Sequence, residues 1–95
     1  MQKRNEYTDR LVNLIKDLDN EEDIYDFFED LCTIKEFQDM ALRLDTALHL
    51  HEGMNYENIS KVNGMSAATI SKVSRCLNYS DGYQKAIAIM NKQTS

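Results

Sequence analysis

The chain has 95 residues, 42% hydrophobic and 28% charged, a balance that fits a folded globular domain and excludes a disordered segment. Its formal net charge of -5 speaks against strong indiscriminate binding to a polyanion. No apolar run approaches the roughly 18 residues a membrane helix requires, and the charged start MQKRNEYTDR has no apolar stretch behind it of the kind found in a signal peptide. Cys32 and Cys76 lie far apart with no CxxC spacing, so the expectation is a cytoplasmic protein with two reduced, structural thiols. A chain of this size hides only about two-thirds of the surface its unfolded form exposes, so a partner subunit would add to its stability.

There is no proline, there are only three glycines, and the apolar spacing is helical throughout. Tyr7, Leu11, Leu14, Ile15 and Leu18 predict a first amphipathic helix over about residues 5–18. Asn20 can cap a second, with Glu21, Glu22 and Asp23 in the first turn where the helix dipole favours acids, and Ile24, Phe27, Phe28 and Leu31 on its apolar face. The stretch TIKE places Thr33 and Glu36 at capping-box spacing and opens a third helix. That helix carries Phe37, Met40, Ala41, Leu44, Ala47 and Leu48 and stops at Gly53, which suits a left-handed C-terminal cap. Asn55 caps a short fourth helix ending near Asn63, with Ile59 and Val62 predicted to be buried. Ser66 caps a fifth with Ile70, Val73 and Leu77 inward, and a sixth begins at Ser80 or Asp81 and buries Tyr83, Ala86, Ile87 and Met90. The expectation is one all-α domain over residues 1–95, without repeat or linker. The first two helices are too short and one-sided to stand alone, so they must cover apolar surface on this chain or on a second copy.

Residues 55–77 have the pattern of a helix-turn-helix. Such a motif needs a small residue where the helices touch, a glycine at the turn and branched apolar residues holding the second helix. Ser60, Gly64 and Ile70 meet those needs, with Ile59, Met65 and Val73 as further core contacts; Asn63 departs from the pattern, since an apolar side chain is usual there. An ordinary helical hairpin is the plainer alternative. The chemistry of the second helix favours DNA. Behind the Ser66 cap, Ala67, Ala68, Thr69, Ser71 and Lys72 occupy the first two turns, where small side chains let the backbone approach and methyls and hydroxyls meet base edges. Lys61 and Arg75, with the unpaired N–H groups of the helix start, suit phosphates. Charge is uneven in the same sense: every charged side chain from Asp17 through Asp30 is an acid, whereas Lys61, Lys72 and Arg75 are the only charges from Lys61 to Asn78.

The stretch CTIKEFQDMALRLDTALHLHEGMNYENISKVNGMSAATISKVSRCL resembles the Trp repressor family and, more closely, its related YerC/YecD group. The resemblance follows the helix order over about residues 5–90, is tightest from Thr33 to Leu77, and has one residue fewer around Met54. It implies a six-helix Trp-repressor-like fold in which the N-terminal helices of two chains interlock. Such a homodimer would present two reading helices about 34 Å apart and read a near-palindromic operator in double-stranded DNA. The resemblance also implies an effector pocket, which in that family holds an indole between two arginines near a glycine and a serine. Arg43 keeps the first arginine, but Lys72, Val73 and Cys76 stand at the other three positions. Lysine lacks the flat guanidinium that stacks on a ring, valine fills space the glycine leaves open, and a thiol replaces a hydroxyl poorly. The expectation is therefore a regulator that does not respond to tryptophan.

Other residues carry less. His49 and His51 in HLHEG sit two apart, about 200° around a helix, and cannot share a metal ion. The acidic run is read as a solvated face. No catalytic constellation or phosphate-binding glycine loop is present, so no enzyme, metal or cofactor is expected. The leading expectation is a sequence-specific DNA-binding transcriptional regulator acting as a homodimer. Its rivals are a protein-interaction module whose helix-turn-helix has lost DNA binding, and a sensor of another small molecule.

Overall fold

A computed structural model describes residues 3–94. Its elements are α1 (Glu6–Asp17), α2 (Glu21–Leu31), α3 (Ile34–His51), α4 (Tyr56–Asn63), α5 (Ala67–Tyr79) and α6 (Gly82–Thr94), and no strand occurs among the described residues. No helix among them is long and apolar enough to cross a membrane. The chain falls into two compact units that divide after Phe37.

In the first unit, helix starts are closed by nearby side chains. Asn5 caps α1, accepting from the N–H groups of Tyr7 and Thr8, while Thr8 Oγ1 accepts from the Asn5 N–H in return. Asn20 Oδ1 accepts from the Asp23 N–H at 2.8 Å and caps α2 as the sequence predicts. The TIKE box also forms: Glu36 Oε1 accepts from the Thr33 N–H at 2.9 Å, and Thr33 Oγ1 accepts from the Glu36 N–H at 3.1 Å. Phe37 stacks on Phe28 and takes the edge of Tyr25, with centroids 5.5 and 5.9 Å apart. Yet neither α1 nor α2 has a buried residue. Tyr7, Leu11, Leu14, Ile15, Ile24 and Leu31 are exposed while Leu18, Phe27 and Phe28 are half-buried, so the apolar faces read from the sequence are covered only in part. The acids from Asp17 to Asp30 are exposed as well.

The second unit holds the core. Ala47 of α3, Ile59 of α4, Ile70, Val73 and Leu77 of α5 and Ile87 of α6 are buried. Complete burial of one such isoleucine is worth about 1.5–3 kcal/mol. Thr46 is buried too; its hydroxyl is satisfied by donation to the Leu42 carbonyl at 2.9 Å. Helix α3 ends on Gly53 at φ +92°, with the Gly53 N–H donating to Leu50 O and the Met54 N–H to His49 O, a Schellman ending. Helix α4 starts at Asn55, whose side chain accepts from the Asn58 N–H, and ends on Gly64 at φ +76°. A Cβ at Gly64 would meet nothing within 4 Å, so the left-handed backbone, not lack of space, calls for glycine there.

Helix α5 packs against both α4 and α6. Gln84 Nε2 donates to Leu77 O at 3.1 Å, so α6 satisfies one of the carbonyls that the end of α5 leaves unpaired. The sixth helix starts at Gly82, with the Lys85 N–H donating to Asp81 O; Ile87 is buried and Tyr83, Ala86 and Met90 are half-buried. One expectation fails. Val62 is 62% exposed instead of buried, because Asn63, four residues on from Ile59, takes the inward place at the end of this two-turn helix.

The TIKE box has a measurable electrostatic consequence. Hydrogen bonds from the Thr33 backbone and side chain hold the Glu36 carboxyl below the ordinary glutamate value. A lowered folded-state value means the contact stabilises above the unfolded pKa and fades as pH falls through the folded one. Thr33→Ala removes the hydroxyl but keeps the backbone donor, so it should move the Glu36 titration midpoint only part of the way back up, read from the pH dependence of its side-chain NMR signal.

Candidate nucleic-acid interface

The start of α5 is set by Ser66, in extended backbone, whose Oγ accepts from the Thr69 N–H at 3.2 Å and donates to Thr69 Oγ1 at 3.0 Å. This single cap satisfies one of the orphan donors of the first turn; the first turn of α5 contains no acid to compete for an anion there. With about 100° per residue, burying Ile70, Val73 and Leu77 places Ala68, Lys72 and Arg75 roughly opposite the core. All three are exposed, as are Ser66 and Ala67, while Thr69 and Ser71 on the two flanks are half-buried. The second helix therefore shows solvent a face of small side chains followed by two cations.

Lys61 reaches the same region from α4. Tyr56, Glu57, Ser60, Lys61 and Ala67 line a hollow of about 480 Å³ where α4 meets the start of α5. Ser60, the small residue of the motif, thus shares a surface with Ala67. Lys61 Nζ stands 3.4 Å from Glu57 Oε1, with both side chains mostly exposed. A pair of this kind is worth about 0.3–0.5 kcal/mol and opens readily. Reading charges only from Lys61 onward missed Glu57; the i, i+4 spacing of acid and lysine was the signal that could have found it.

On another wall of α5, Arg43, Thr69, Lys72, Val73, Cys76 and Tyr83 line a cavity of about 310 Å³. It gathers the four positions named for an effector pocket and adds Thr69 and Tyr83. Tyr83 went unnoticed as a site residue because its i, i+3 and i+4 neighbours made it read as core filler. Its phenol is pushed up from the usual tyrosine value, first by burial and then by Cys76, with Arg43 opposing. Lys72 belongs both to this cavity and to the exposed face of α5. Leu44, Cys76, Ser80, Gly82, Tyr83 and Ala86 line a neighbouring, mainly apolar hollow of about 360 Å³. Cys32 and Cys76 are free thiols, both half-buried.

No cluster of His, Cys, Asp and Glu that could hold a metal ion occurs among the described residues. His49 is half-buried with Nε2 3.2 Å from Asp45 Oδ2, and His51 is exposed.

Two short helices meeting through a left-handed glycine, the second held by one apolar stripe and capped by serine, define a helix-turn-helix protein. The family model of the Trp repressor protein matches residues 6–93, and the chain belongs to that family. It is similar to the uncharacterized protein YerC of Bacillus subtilis (strain 168), 48% identical over 85 residues, covering 88% of this chain and 82% of the relative. It is also similar to the crystal structure of a candidate Trp repressor from Staphylococcus aureus, with TM-score 0.88 and 39% identity, covering 93% of this chain and 89% of the other. A TrpR-like protein from Eubacterium eligens ATCC 27750 gives TM-score 0.89 and 37% identity, covering 93% and 92%.

Proposed function

We propose that this protein is a sequence-specific DNA-binding transcriptional regulator that acts as a homodimer and is not controlled by tryptophan. The observation that carries the reading is the outward face of α5: Ser66, Ala67, Ala68, Lys72 and Arg75 exposed, Thr69 and Ser71 at its flanks, and Lys61 beside it on α4. Methyls of Ala67, Ala68 and Thr69 can touch thymine methyls, and hydroxyls of Ser71 and Thr69 can bond to base edges. Lys61, Lys72 and Arg75 supply the charge that phosphates require. Few cations on this face means few phosphates neutralised and therefore weak non-specific affinity, which suits a reader that depends on the correct sequence.

Membership of the Trp repressor family supports the dimer, and so does the uncovered first unit. Apolar side chains on α1 and α2 that this chain leaves exposed are the surface a second copy would bury. The protein-interaction alternative would instead use the acidic face of α2. It has less support, since that face shows only exposed acids of the kind that keep a protein soluble.

A second reading has a specific observation behind it. The cavity of about 310 Å³ has two cations in its lining and no acid, with a hydroxyl, a phenol and a thiol between them. That lining suits a small anion. It does not suit an indole, because Val73 stands where open space is needed and Lys72 offers no flat surface for a ring.

Four outcomes are expected. Selection from random duplexes should enrich one near-palindrome. Lys72→Ala should weaken binding to it by about 1–3 kcal/mol and flatten the plot of log affinity against log salt by roughly one unit; no enriched sequence would favour the interaction module. Sedimentation equilibrium should give twice the 11.0 kDa chain mass, and a persistent single-chain mass at micromolar concentration would remove the dimer. Calorimetry with tryptophan should show no binding at micromolar concentrations; a clear micromolar isotherm would overturn the claim of tryptophan independence.

A further inference from the structure

Asn63 is the residue at which this helix-turn-helix departs from an apolar pattern, and its side chain makes three directed contacts. Nδ2 donates to Asp45 Oδ2 at 3.0 Å and to Thr46 Oγ1 at 3.1 Å, both on α3, and Oδ1 accepts from the Met65 N–H at 3.0 Å. Each direction is forced by its partner. A carboxylate only accepts, a backbone N–H only donates, and the Thr46 hydroxyl has already given its proton to Leu42 O. The amide can therefore sit only one way round. Asp45 is itself held in place, since the same Oδ2 is 3.2 Å from His49 Nε2, one turn further along α3. The other nitrogen of that ring is buried without a partner among the described residues, so Asp45 is the anchor of the imidazole.

These bonds link the next-to-last turn of α3, the end of α4 and the residue just before the Ser66 cap. An apolar side chain at position 63 would pack there too, but dispersion contacts have no direction and tolerate sliding. Three bonds to three fixed groups do not. We infer that Asn63 is a positioning residue: with Asp45 and Thr46 it fixes the angle at which α5 leaves the turn, and so the spacing of half-sites that a dimer accepts. This inference rests on the DNA reading proposed above and names the device that sets its geometry.

The test compares the wild type with Asn63→Leu, Asn63→Asp and the exchange Asp45→Asn/Asn63→Asp. The exchange keeps the net charge of the wild type and restores an amide-to-carboxylate bond with donor and acceptor reversed. Affinity is measured for the selected duplex and for duplexes with one base pair added to or removed from the centre, after circular dichroism confirms a helical fold. The wild type should prefer one spacing. Asn63→Leu should flatten that preference severalfold while staying helical. Asn63→Asp sets two carboxylates together and should melt about 5 °C or more below the wild type, with the exchange regaining part of both melting temperature and spacing preference, since the carboxylate introduced at position 63 can no longer donate to Thr46 Oγ1. Wild-type spacing preference in Asn63→Leu, or an exchange variant no better than Asn63→Asp, overturns the positioning role and leaves the DNA reading intact. A wild type that selects no duplex removes the DNA reading, and the inference with it, even if the thermal coupling of Asp45 and Asn63 is found.

Discussion

The complete burial of Ile70 is the constraint on which the second unit depends. With Val73 and Leu77 it commits one stripe of α5 to the core, and the 3.6-residue repeat then assigns every other side chain of the helix. Ala68, Lys72 and Arg75 face solvent because Ile70 does not. Loss of that isoleucine would cost about 2–5 kcal/mol, a large share of the stability of a chain this short. It would also remove the reason for α5 to present a fixed face. The outward chemistry of the helix is thus a consequence of its inward packing.

Electrostatics follow the same division. The net charge of -5 is a property of the sum, whereas the acids crowd onto α2 and the bases that matter lie on α3, α4 and α5. The acidic run and the cationic face belong to different compact units. Screening at physiological salt acts over about 8 Å, so each charge acts mainly on groups close to it. Within the second unit the finer arrangement is mixed: Lys61 has Glu57 beside it, while the cavity that holds Arg43 and Lys72 contains no acid.

Much of this was legible in the sequence because the signals are local. Asn20, Thr33 with Glu36, Asn55 and Ser66 mark helix starts through hydrogen bonds that reach only three residues along the chain, and each was found where its residue type foretold. Gly53 and Gly64 mark ends for the same reason. What escaped depends on partners distant in sequence. Val62 looks as apolar as Ile59, and only the bonds of Asn63 to Asp45 and Thr46 explain which of the neighbours turns inward. Thr46 carried no signal of its burial, which its hydroxyl tolerates by donating to Leu42 O one turn back. Tyr83 joins Arg43 across a gap of many residues, a meeting no periodicity could reveal. The apolar stripes of α1 and α2 were visible in the spacing, but their exposure was not, since neither helix has a buried residue.

The short reach of the capping bonds bears on how the chain acquires its shape. The starts of α1 to α5 are each marked by a side chain within a single turn, so these helices can nucleate without waiting for remote segments to arrive. The later packing of α5 joins it to its immediate neighbours in the chain, α4 and α6, which keeps the entropy lost in loop closure small. With no proline anywhere in the sequence, the tens of seconds that prolyl isomerisation imposes on many proteins do not arise. The same serines, threonines and asparagines that mark where α1 to α5 begin thus also favour rapid local nucleation.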